Sequence, residues 1–218
     1  MYKRQLVVFA KEPRNGEVKT RLASELGLEG CRELYEAFLK DTFRLAKQVL
    51  RVQRIVAYLS GNRAPIFIKK QAKGFAFLKQ KGANLGERLH NAFQYLRGRS
   101  SKPVVIIGSD SPNLPAEFIT RAFEKLLNYD VVVGPSRDGG YYLIGLKEPC
   151  EEIFVDIDWS TKNVFKQTLS KIRRLKKTVH VLPLWYDVDD QKSLKLLMRD
   201  FRAAVSTKKF FYPASKNQ

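Results

Sequence analysis

Apolar runs alternate along this chain with stretches of helical periodicity. The clearest runs are QLVVFA at 5–10 and PVVIIG at 103–108, both continuously apolar, as is typical of parallel strands covered on both faces. At 29–49, apolar residues recur every three or four positions, which indicates an amphipathic helix. The alternation predicts an α/β fold in three layers, with a mostly parallel mixed sheet between two layers of helices.

The remaining segments continue this alternation. Further strands are predicted at 54–59, 75–78, 130–133, 140–146 and 179–182, and further helices at 85–96, 115–127, 161–175 and 191–205. The turn SRDGG predicts a hairpin between two of these strands, and Ser160 or Thr161 is predicted to cap the helix that follows. Ligands of such sheets bind at the carboxyl ends of the strands, so the loops there are the candidate site.

Length and cysteine content narrow the class of protein. The 218 residues fit one α/β domain, predicted over 1–206 and followed by a basic tail at 207–218. Cys31 and Cys150 lie far apart, which excludes a disulfide scaffold and favours a reducing compartment. The first apolar run is interrupted by Lys11 and Glu12 and is too short for a signal peptide or a membrane span. We therefore expect a cytoplasmic protein.

The chain is strongly basic, with a formal net charge of +18. Such a field attracts polyanions, among them nucleotides, phosphorylated metabolites, nucleic acid and anionic membrane surfaces. An ordinary solvated surface accounts equally well for most of the lysines. Because the basic residues are dispersed and do not form a platform studded with aromatic side chains, nucleic acid is not the favoured partner.

The loop after the first strand, KEPRNGEVKTRL, concentrates four cations around one glycine. Phosphate oxygens are bound by close backbone approach together with positive charge. The loop lacks both G-K-[ST] and G-x-G-x-x-G, so it is neither a P-loop nor a dinucleotide fingerprint. A solvated basic turn is the alternative. The predicted nucleotide-binding residues are Lys11, Arg14, Gly16, Lys19, Thr20 and Arg21, together with Gly86 beside a helix start.

Acidic residues follow two other strands. Asp110 comes directly after 103–108, and Asp187 and Asp189 lie beyond 179–182. Carboxylates at one sheet edge suit a hard divalent cation whose coordination is completed by substrate phosphates, so we predict Mg²⁺ or Mn²⁺ there. The alternatives are structural: Asp110 could order its turn, and Asp190 is predicted to cap the last helix.

A glycine-rich segment supplies the candidate acceptor site. Asp138, Gly139, Gly140 and Tyr141 combine a hydroxyl-binding carboxylate, close backbone approach and a flat apolar wall, and Trp159 is a candidate second wall. A simple hairpin turn is the alternative.

Five segments in order carry a family resemblance: FAKEPRNGEVKTRLASELG, IIGSDSPNLPAEFITRAFEKL, VVVGPSRDGGYYLIGL, DWSTKNVFKQTL and LWYDVDDQKSL. Over 6–197 the chain resembles the radical-SAM/selenodomain-associated transferase family 1. That family belongs to the nucleotide-diphospho-sugar transferase superfamily with the GT-A fold, and some members are named arsenosugar-pathway glycosyltransferases. The motifs K-T-R-L, S-D-x-P-x-L and D-G-G-Y-Y-L-I-G-L are specific in combination.

The resemblance implies a Rossmann-like GT-A fold, a nucleotide at the first-strand loop and a divalent cation at Asp110. A more distant similarity to 2-phospholactate guanylyltransferases and molybdenum-cofactor nucleotidyltransferases implies that Lys11, Lys19 and Arg21 bind phosphate and that Asp189 is the second metal ligand. The chain departs from the family at Asn84, where Asp is frequent, so this position carries no charge here.

The predicted function is a metal-dependent transferase with a nucleotide or nucleotide-sugar donor and a small-molecule acceptor. Glycosyl transfer is placed first, on the family's naming. Nucleotidyl transfer from a nucleoside triphosphate to a phosphorylated small molecule is the alternative, favoured by the single acid of Ser109-Asp110-Ser111 where glycosyltransferases of this fold usually have D-x-D. A non-catalytic nucleic-acid-binding domain is the third hypothesis. For either transferase, Lys19, Arg21 and Asp110 are the predicted catalytic residues, because they would neutralise a leaving phosphate.

Overall fold

The computed structural model describes residues 4–59, 61–98, 102–201 and 204–213. The strands within these residues form one sheet. They are β1 (Arg4–Lys11), β2 (Val52–Leu59), β3 (Ala76–Lys79), β4 (Val104–Ile107), β5 (Val131–Pro135), β6 (Tyr141–Leu146) and β7 (Val179–Val181).

The helices of the described residues alternate with these strands. They are α1 (Ala23–Gln48), α2 (Ile66–Gln71), α3 (Leu85–Arg97), α4 (Ala116–Lys125), α5 (Val164–Arg174), α6 (Gln191–Arg199) and α7 (Val205–Phe211). Short 3₁₀ turns lie at Thr20–Leu22 and Glu151–Ile153. The first helix is kinked at Gly27, whose φ of 69° lies in the left-handed region. None of the described helices is both long and apolar enough to cross a membrane.

The sheet has the order β3-β2-β1-β4-β6-β5-β7. Strand β6 runs antiparallel to both of its neighbours, β4 and β5, and the remaining pairings are parallel. The predicted mostly parallel mixed sheet and the hairpin between β5 and β6 are therefore confirmed. Chain order reverses at the adjacent strands β1 and β4, and ligands of open α/β sheets bind at such a reversal.

Alternate residues of the central strands enter different cores. Leu6 and Val8 pack with α1 and α4, whereas Val7 packs on the opposite face with α3. Two separate apolar clusters thus cover the sheet, which confirms the predicted three layers. The continuous apolar run of β1 follows directly from burial on both faces.

The structure differs from the sequence-based predictions at two places before the C-terminal region. The helix α2 falls in a segment for which no element was predicted. The helix α5 begins at Val164 with Asn163 at its N-cap position, so the cap predicted at Ser160 or Thr161 is wrong. Thr161 orders the preceding turn instead, because its hydroxyl accepts from the backbone N–H of Asn163 and donates to the carbonyl of Asp158.

The C-terminal region also departs from the prediction. The helix predicted over 191–205 ends at Arg199, and the separate helix α7 follows. Thr207 in α7 is fully buried against α1. The predicted boundary between the domain and a basic tail at 206/207 therefore falls inside a docked helix, and residues 214–218 lie outside the described part of the chain.

Candidate functional site

A cleft of about 710 Å³ lies at the carboxyl edge of the sheet. The loops after β1 and β4, the β5–β6 turn and the segment before α6 all contribute to its lining. Most of the predicted site residues line it: Lys11, Lys19, Thr20, Arg21, Asp110, Asp138, Gly140, Tyr141, Trp159, Asp187 and Asp189. The topology therefore brings residues separated by up to about 180 positions to one opening.

Lys19 is the centre of the charged part of this cleft. Its ammonium donates to Oδ1 of Asp110 and, over 2.8 Å, to Oδ1 of Asp189. The lysine side chain is only 3% exposed, and its Nζ lies 5.1 Å from the ring centroid of Phe38. Burial by itself lowers the lysine pKa, but the two carboxylates outweigh it and the pKa is raised. Lys19 is therefore a permanently charged, buried link between two loops.

Backbone contacts hold the two acidic loops together. The N–H of Val188 donates to the carbonyl oxygen of Asp110 over 2.8 Å. Asp190 caps α6 in a capping box with Ser193, as predicted, and this locks the residue directly after Asp189. Capping and the Val188 bond thus position Asp189 opposite Asp110.

A buried hydrogen-bond chain supports the other side of the cleft. The hydroxyl of Tyr35 accepts from the backbone N–H of Lys11 over 3.0 Å and shares a 2.8 Å hydrogen bond with the hydroxyl of Ser109. Burial raises the pKa of Tyr35 to about 12, so the phenol is neutral. Tyr35 thereby couples the end of β1 to the residue before Asp110.

Asp187 differs electrostatically from Asp189. It makes no ion pair among the described residues, and its Oδ1 accepts a 2.5 Å hydrogen bond from the hydroxyl of Ser111. Burial, and then repulsion from Asp110, raise the pKa of Asp187 to about 7. A nearby cation would lower it.

The acidic residues fit a divalent cation in charge and position. Asp110 and Asp189 bond the same ammonium nitrogen, so their oxygens lie within roughly 6 Å of each other. They already surround one positive charge, and carboxylate oxygens are the ligands that Mg²⁺ and Mn²⁺ prefer. The described residues contain no group of three or more His, Cys, Asp or Glu suited to a metal ion. Donors from substrate or water would therefore complete the coordination.

Two residues of the predicted phosphate loop do not line the cleft. Arg14 forms ion pairs with Glu12 and Glu17. Gly16 has a φ of 77°, and a Cβ there would meet nothing within 4 Å. The turn geometry explains this glycine, because the left-handed conformation is costly for other residues. Lys11, Thr20 and Arg21 do line the cleft, and all three are exposed.

The β5–β6 turn is tightly packed. Gly139 has a φ of 91°, and a Cβ on it would lie 2.1 Å from the carbonyl oxygen of Lys162. Asp138 closes the turn by accepting from the N–H of Gly140 over 2.9 Å. Tyr141 meets Trp159 edge-on, with centroids 6.4 Å apart. The turn, together with the segment before α5, forms one wall of the cleft.

Gly86 has a packing role that the sequence did not indicate. A Cβ on it would lie 2.7 Å from Nε1 of Trp159 and 2.8 Å from the carbonyl oxygen of Phe154. The close approach predicted for a nucleotide base is made by this indole instead. Gly86 lines a smaller neighbouring cavity and not the main cleft.

Sequence reasoning did not single out three cleft residues. Tyr35 lies in the middle of α1, and Gln80 is buried and donates to the carbonyl of Ala57. Arg88 lies in the first turns of α3 and donates to the carbonyls of Gly82 and Ala83. Of the three, Arg88 alone carried a signal that could have revealed it, because it lies four residues after Asn84, where the chain departs from the family.

Comparisons with known proteins agree with this geometry. The model of the family described as "Uncharacterized protein conserved in bacteria (DUF2064)" matches residues 42–161. The 2-phospho-L-lactate guanylyltransferase of Methanocaldococcus jannaschii is 30% identical over 141 residues, which are 65% of this chain and 59% of that protein. The chain therefore spans about three fifths of the length of this curated relative.

Solved structures extend the similarity over nearly the whole chain. A protein from Desulfovibrio desulfuricans G20, provisionally described as a nucleotide-diphospho-sugar transferase, is 34% identical with a TM-score of 0.87, over 96% of this chain and 95% of that one. Rv0371c from Mycobacterium tuberculosis H37Rv, solved in complex with manganese, shares the fold at 14% identity and a TM-score of 0.57, over 92% and 100% of the two chains. The predicted likeness to these transferase groups is confirmed.

Proposed function

The chain belongs to the family described as "Uncharacterized protein conserved in bacteria (DUF2064)", and from this premise we propose that it is a nucleotide-utilising transferase whose reaction is nucleotidyl transfer from a nucleoside triphosphate. The observation that carries the proposal is the convergence of Lys19, Asp110 and Asp189 at the carboxyl edge of the sheet, in the cleft of about 710 Å³. The positive side chain can bind phosphate oxygens, and the two carboxylates can bind the divalent cation that accompanies them.

The positively charged and polar residues of the cleft have different roles, according to whether they are exposed or buried. Lys11, Thr20 and Arg21 lie exposed along the cleft and bind phosphate oxygens. Lys19 supplies a buried positive charge beside them. Stabilisation of the charge that develops on the departing pyrophosphate lowers the barrier, and in this scheme no side-chain nucleophile is required.

Asp110 and Asp189, with Asp187 nearby, would hold Mg²⁺ or Mn²⁺. When bound, the ion neutralises phosphate charge and polarises the phosphorus centre. The manganese in Rv0371c supports this assignment through the shared fold alone. Asp110 has no second acid to complete D-x-D, because Gly108 and Pro112 occupy the two positions at that spacing.

The β5–β6 turn is the proposed acceptor site. Asp138, Gly140 and Tyr141 line the cleft, with Trp159 beside Tyr141, and strand β4 separates β6 from β1, whose loop carries the cations. A transferase must hold donor and acceptor on opposite sides of the bond that breaks. The second oxygen of Asp138 remains available to an acceptor hydroxyl, because Oδ1 closes the turn.

Glycosyl transfer is the second candidate, favoured by the nucleotide-diphospho-sugar description of the 34% identical structure. Nucleotidyl transfer is placed first because the curated relative is a guanylyltransferase and because only one acid occupies the Ser109-Asp110-Ser111 position. This order reverses the one that the sequence alone suggested.

Two linked measurements test the proposal. A thermal-shift screen of the four nucleoside triphosphates and of UDP-, GDP- and dTDP-sugars, each with and without Mg²⁺ or Mn²⁺, identifies the donor, since a ligand of the native state raises Tm. Release of pyrophosphate from the triphosphate then indicates nucleotidyl transfer, whereas release of nucleoside diphosphate from a sugar donor indicates glycosyl transfer. A chain that binds duplex DNA with steep salt dependence but no nucleotide would contradict both candidates.

A further inference from the structure

Lys19 occupies the position that a divalent cation needs. Its ammonium bonds both Asp110 and Asp189, which are the two proposed metal ligands. The side chain is 3% exposed and its Nζ also faces the ring of Phe38. The donor N–H groups of this lysine are therefore directed at the carboxylates, and incoming phosphate oxygens reach it only if it moves.

The backbone at Lys19 is unusual as well. Its φ of 50° and ψ of 32° place a non-glycine residue in the left-handed region, where Cβ crowds the following carbonyl. Such conformations persist when surrounding contacts over-determine them, and they concentrate at ligand clamps and switch regions. At Lys19 these contacts include the two ion pairs and a 2.9 Å hydrogen bond from the N–H of Leu22 to the Lys19 carbonyl.

We propose that Lys19 is a placeholder cation: it neutralises Asp110 and Asp189 in the free protein and leaves them for the donor's phosphates when the divalent ion binds. This inference rests on the proposed metal-dependent nucleotide transfer. Before release, the lysine competes with the metal for the same oxygens. After release, the same charge contributes to phosphate binding, so each ligand makes the other's site available.

The consequence is positive coupling between metal and nucleotide. The metal alone binds weakly, because it must displace a buried ammonium. Nucleotide alone binds weakly, because Lys19 is already paired. When both ligands are bound, the metal pairs with the two carboxylates and Lys19 pairs with the phosphates. Thermodynamic linkage requires the coupling between the two ligands to be reciprocal.

The first test measures Mn²⁺ alone, by the loss of the free-ion electron paramagnetic resonance signal, without nucleotide. Lys19→Met keeps an unbranched apolar stem and removes the competing charge, so Mn²⁺ affinity should rise roughly tenfold or more. Lys11→Met is the matched control, since it removes a cation from the same cleft that forms no ion pair with the two acids. Its effect should be at most roughly threefold.

Each outcome decides a separate question. Unchanged or weaker Mn²⁺ binding in Lys19→Met, or an equal rise in Lys11→Met, overturns the placeholder role. Absence of Mn²⁺ binding in wild type and in both variants, with and without nucleotide, overturns the proposed metal site itself. Circular dichroism and Tm establish that each variant is folded.

The second test uses the wild-type chain alone and so does not depend on a variant folding. Calorimetry with a non-cleavable α,β-methylene nucleoside triphosphate, at saturating and at zero Mn²⁺, should show affinities that differ by roughly fivefold to a hundredfold. Equal affinities would overturn the exchange, because the exchange requires each ligand to make the other's site available.

Discussion

At the scale of single residues, the cleft separates cations that are exposed from one that is buried. Lys11 and Arg21 face the opening, while Lys19 is enclosed by two acids. Arg14, from the same loop, is paired with Glu12 outside the cleft lining. Proximity along the chain therefore does not give these residues one role, and each can be tested separately.

Arg21→Ala should weaken nucleotide binding by roughly 1–3 kcal/mol, the range for a charge-assisted hydrogen bond. Arg14→Ala is the matched control and should change nucleotide affinity by less than roughly 0.5 kcal/mol, because Arg14 lies outside the cleft lining. Isothermal titration with the donor found in the screen measures both. If the two variants lose affinity equally, the loop acts only through its summed charge.

Asp138→Asn should spare nucleotide affinity while lowering turnover by roughly a hundredfold, in the range lost with an essential polar group. The asparagine Oδ1 still accepts from the N–H of Gly140, so the turn is preserved. Calorimetry and steady-state rates are measured on the same preparation. Parallel loss of affinity and rate would place Asp138 at the donor, and loss of neither would leave it a turn residue.

The stability contribution of Asp187 depends on pH. Its pKa of about 7 in the folded chain exceeds the value near 3.9 of an unfolded aspartate. As pH rises between these values, the unfolded state releases the proton first, so folding is progressively disfavoured. Asp187→Asn should thus gain stability relative to wild type between about pH 4 and 7, by roughly 1 kcal/mol, because the residue is only partly buried and solvent in the cleft screens the carboxylate.

Asp190 provides the control of opposite sign. The side-chain hydrogen bond from Ser193 lowers its pKa, so its ionised form is favoured in the folded state. Asp190→Asn should lose stability relative to wild type near neutral pH, and this loss should fade as pH falls through the aspartate range. Chemical denaturation from pH 4 to 8 follows both variants. A pH-independent difference for Asp187→Asn would contradict its raised pKa.

At the scale of elements, the β5–β6 turn and the segment before α5 form one packed unit. The carbonyl of Gly139 accepts from the N–H of Phe165, and its Cα faces the Lys162 backbone. This contact places Asp138 and Tyr141 beside Trp159 in the cleft. A glycine is required at position 139 by close approach as well as by φ.

Gly139→Ala should cost about 3 kcal/mol of unfolding free energy, at the upper end of common single substitutions, because a backbone atom and not a mobile side chain occupies the space. Gly16→Ala is the matched control. It shares the positive φ but has open space, so it should cost only about 1–2 kcal/mol. Urea denaturation gives both values, and equal costs would show that φ alone makes Gly139 necessary.

At the scale of the whole molecule, α7 is docked onto α1 through a buried carboxylate. Asp41 is fully buried and accepts from the backbone N–H groups of Ser206 and Thr207 and from the Thr207 hydroxyl. Arg44 of α1 also bonds it. The start of α7, some 165 residues along the chain, is thus capped by a side chain of α1.

Asp41→Ala should destabilise the fold by about 3 kcal/mol, since hydrogen bonds to a charged group contribute about 1.5–3 kcal/mol each and the freed donors are only partly rehydrated. Hydrogen exchange should show α7 opening more readily than α6. Glu29→Ala, an exposed acid on the same helix, is the control and should stay within about 0.5 kcal/mol. An intact α7 in Asp41→Ala would mean that apolar contacts alone dock it.

The sequence by itself determined the fold class and the sheet edge at which the candidate site residues meet. Apolar runs of five or six residues mark strands buried on both faces, and helical periodicity marks the layers between them, because both patterns reflect burial on a regular backbone. Asp110, Asp189 and the β1 loop were predicted to meet, since parallel strands bring their carboxyl ends to one edge. The cap at Asp190 was equally local and is confirmed.

Only the tertiary structure decided how these residues are used. Whether Lys19 faces solvent or two carboxylates depends on loops more than 90 positions away along the chain. Gly86 contacts Trp159, and Asp41 caps α7. Neither contact corresponds to a periodic pattern of residues in the sequence. Local patterns report which backbone a segment prefers, whereas the partner of a buried charge or of a glycine is set by the arrangement of distant segments around it.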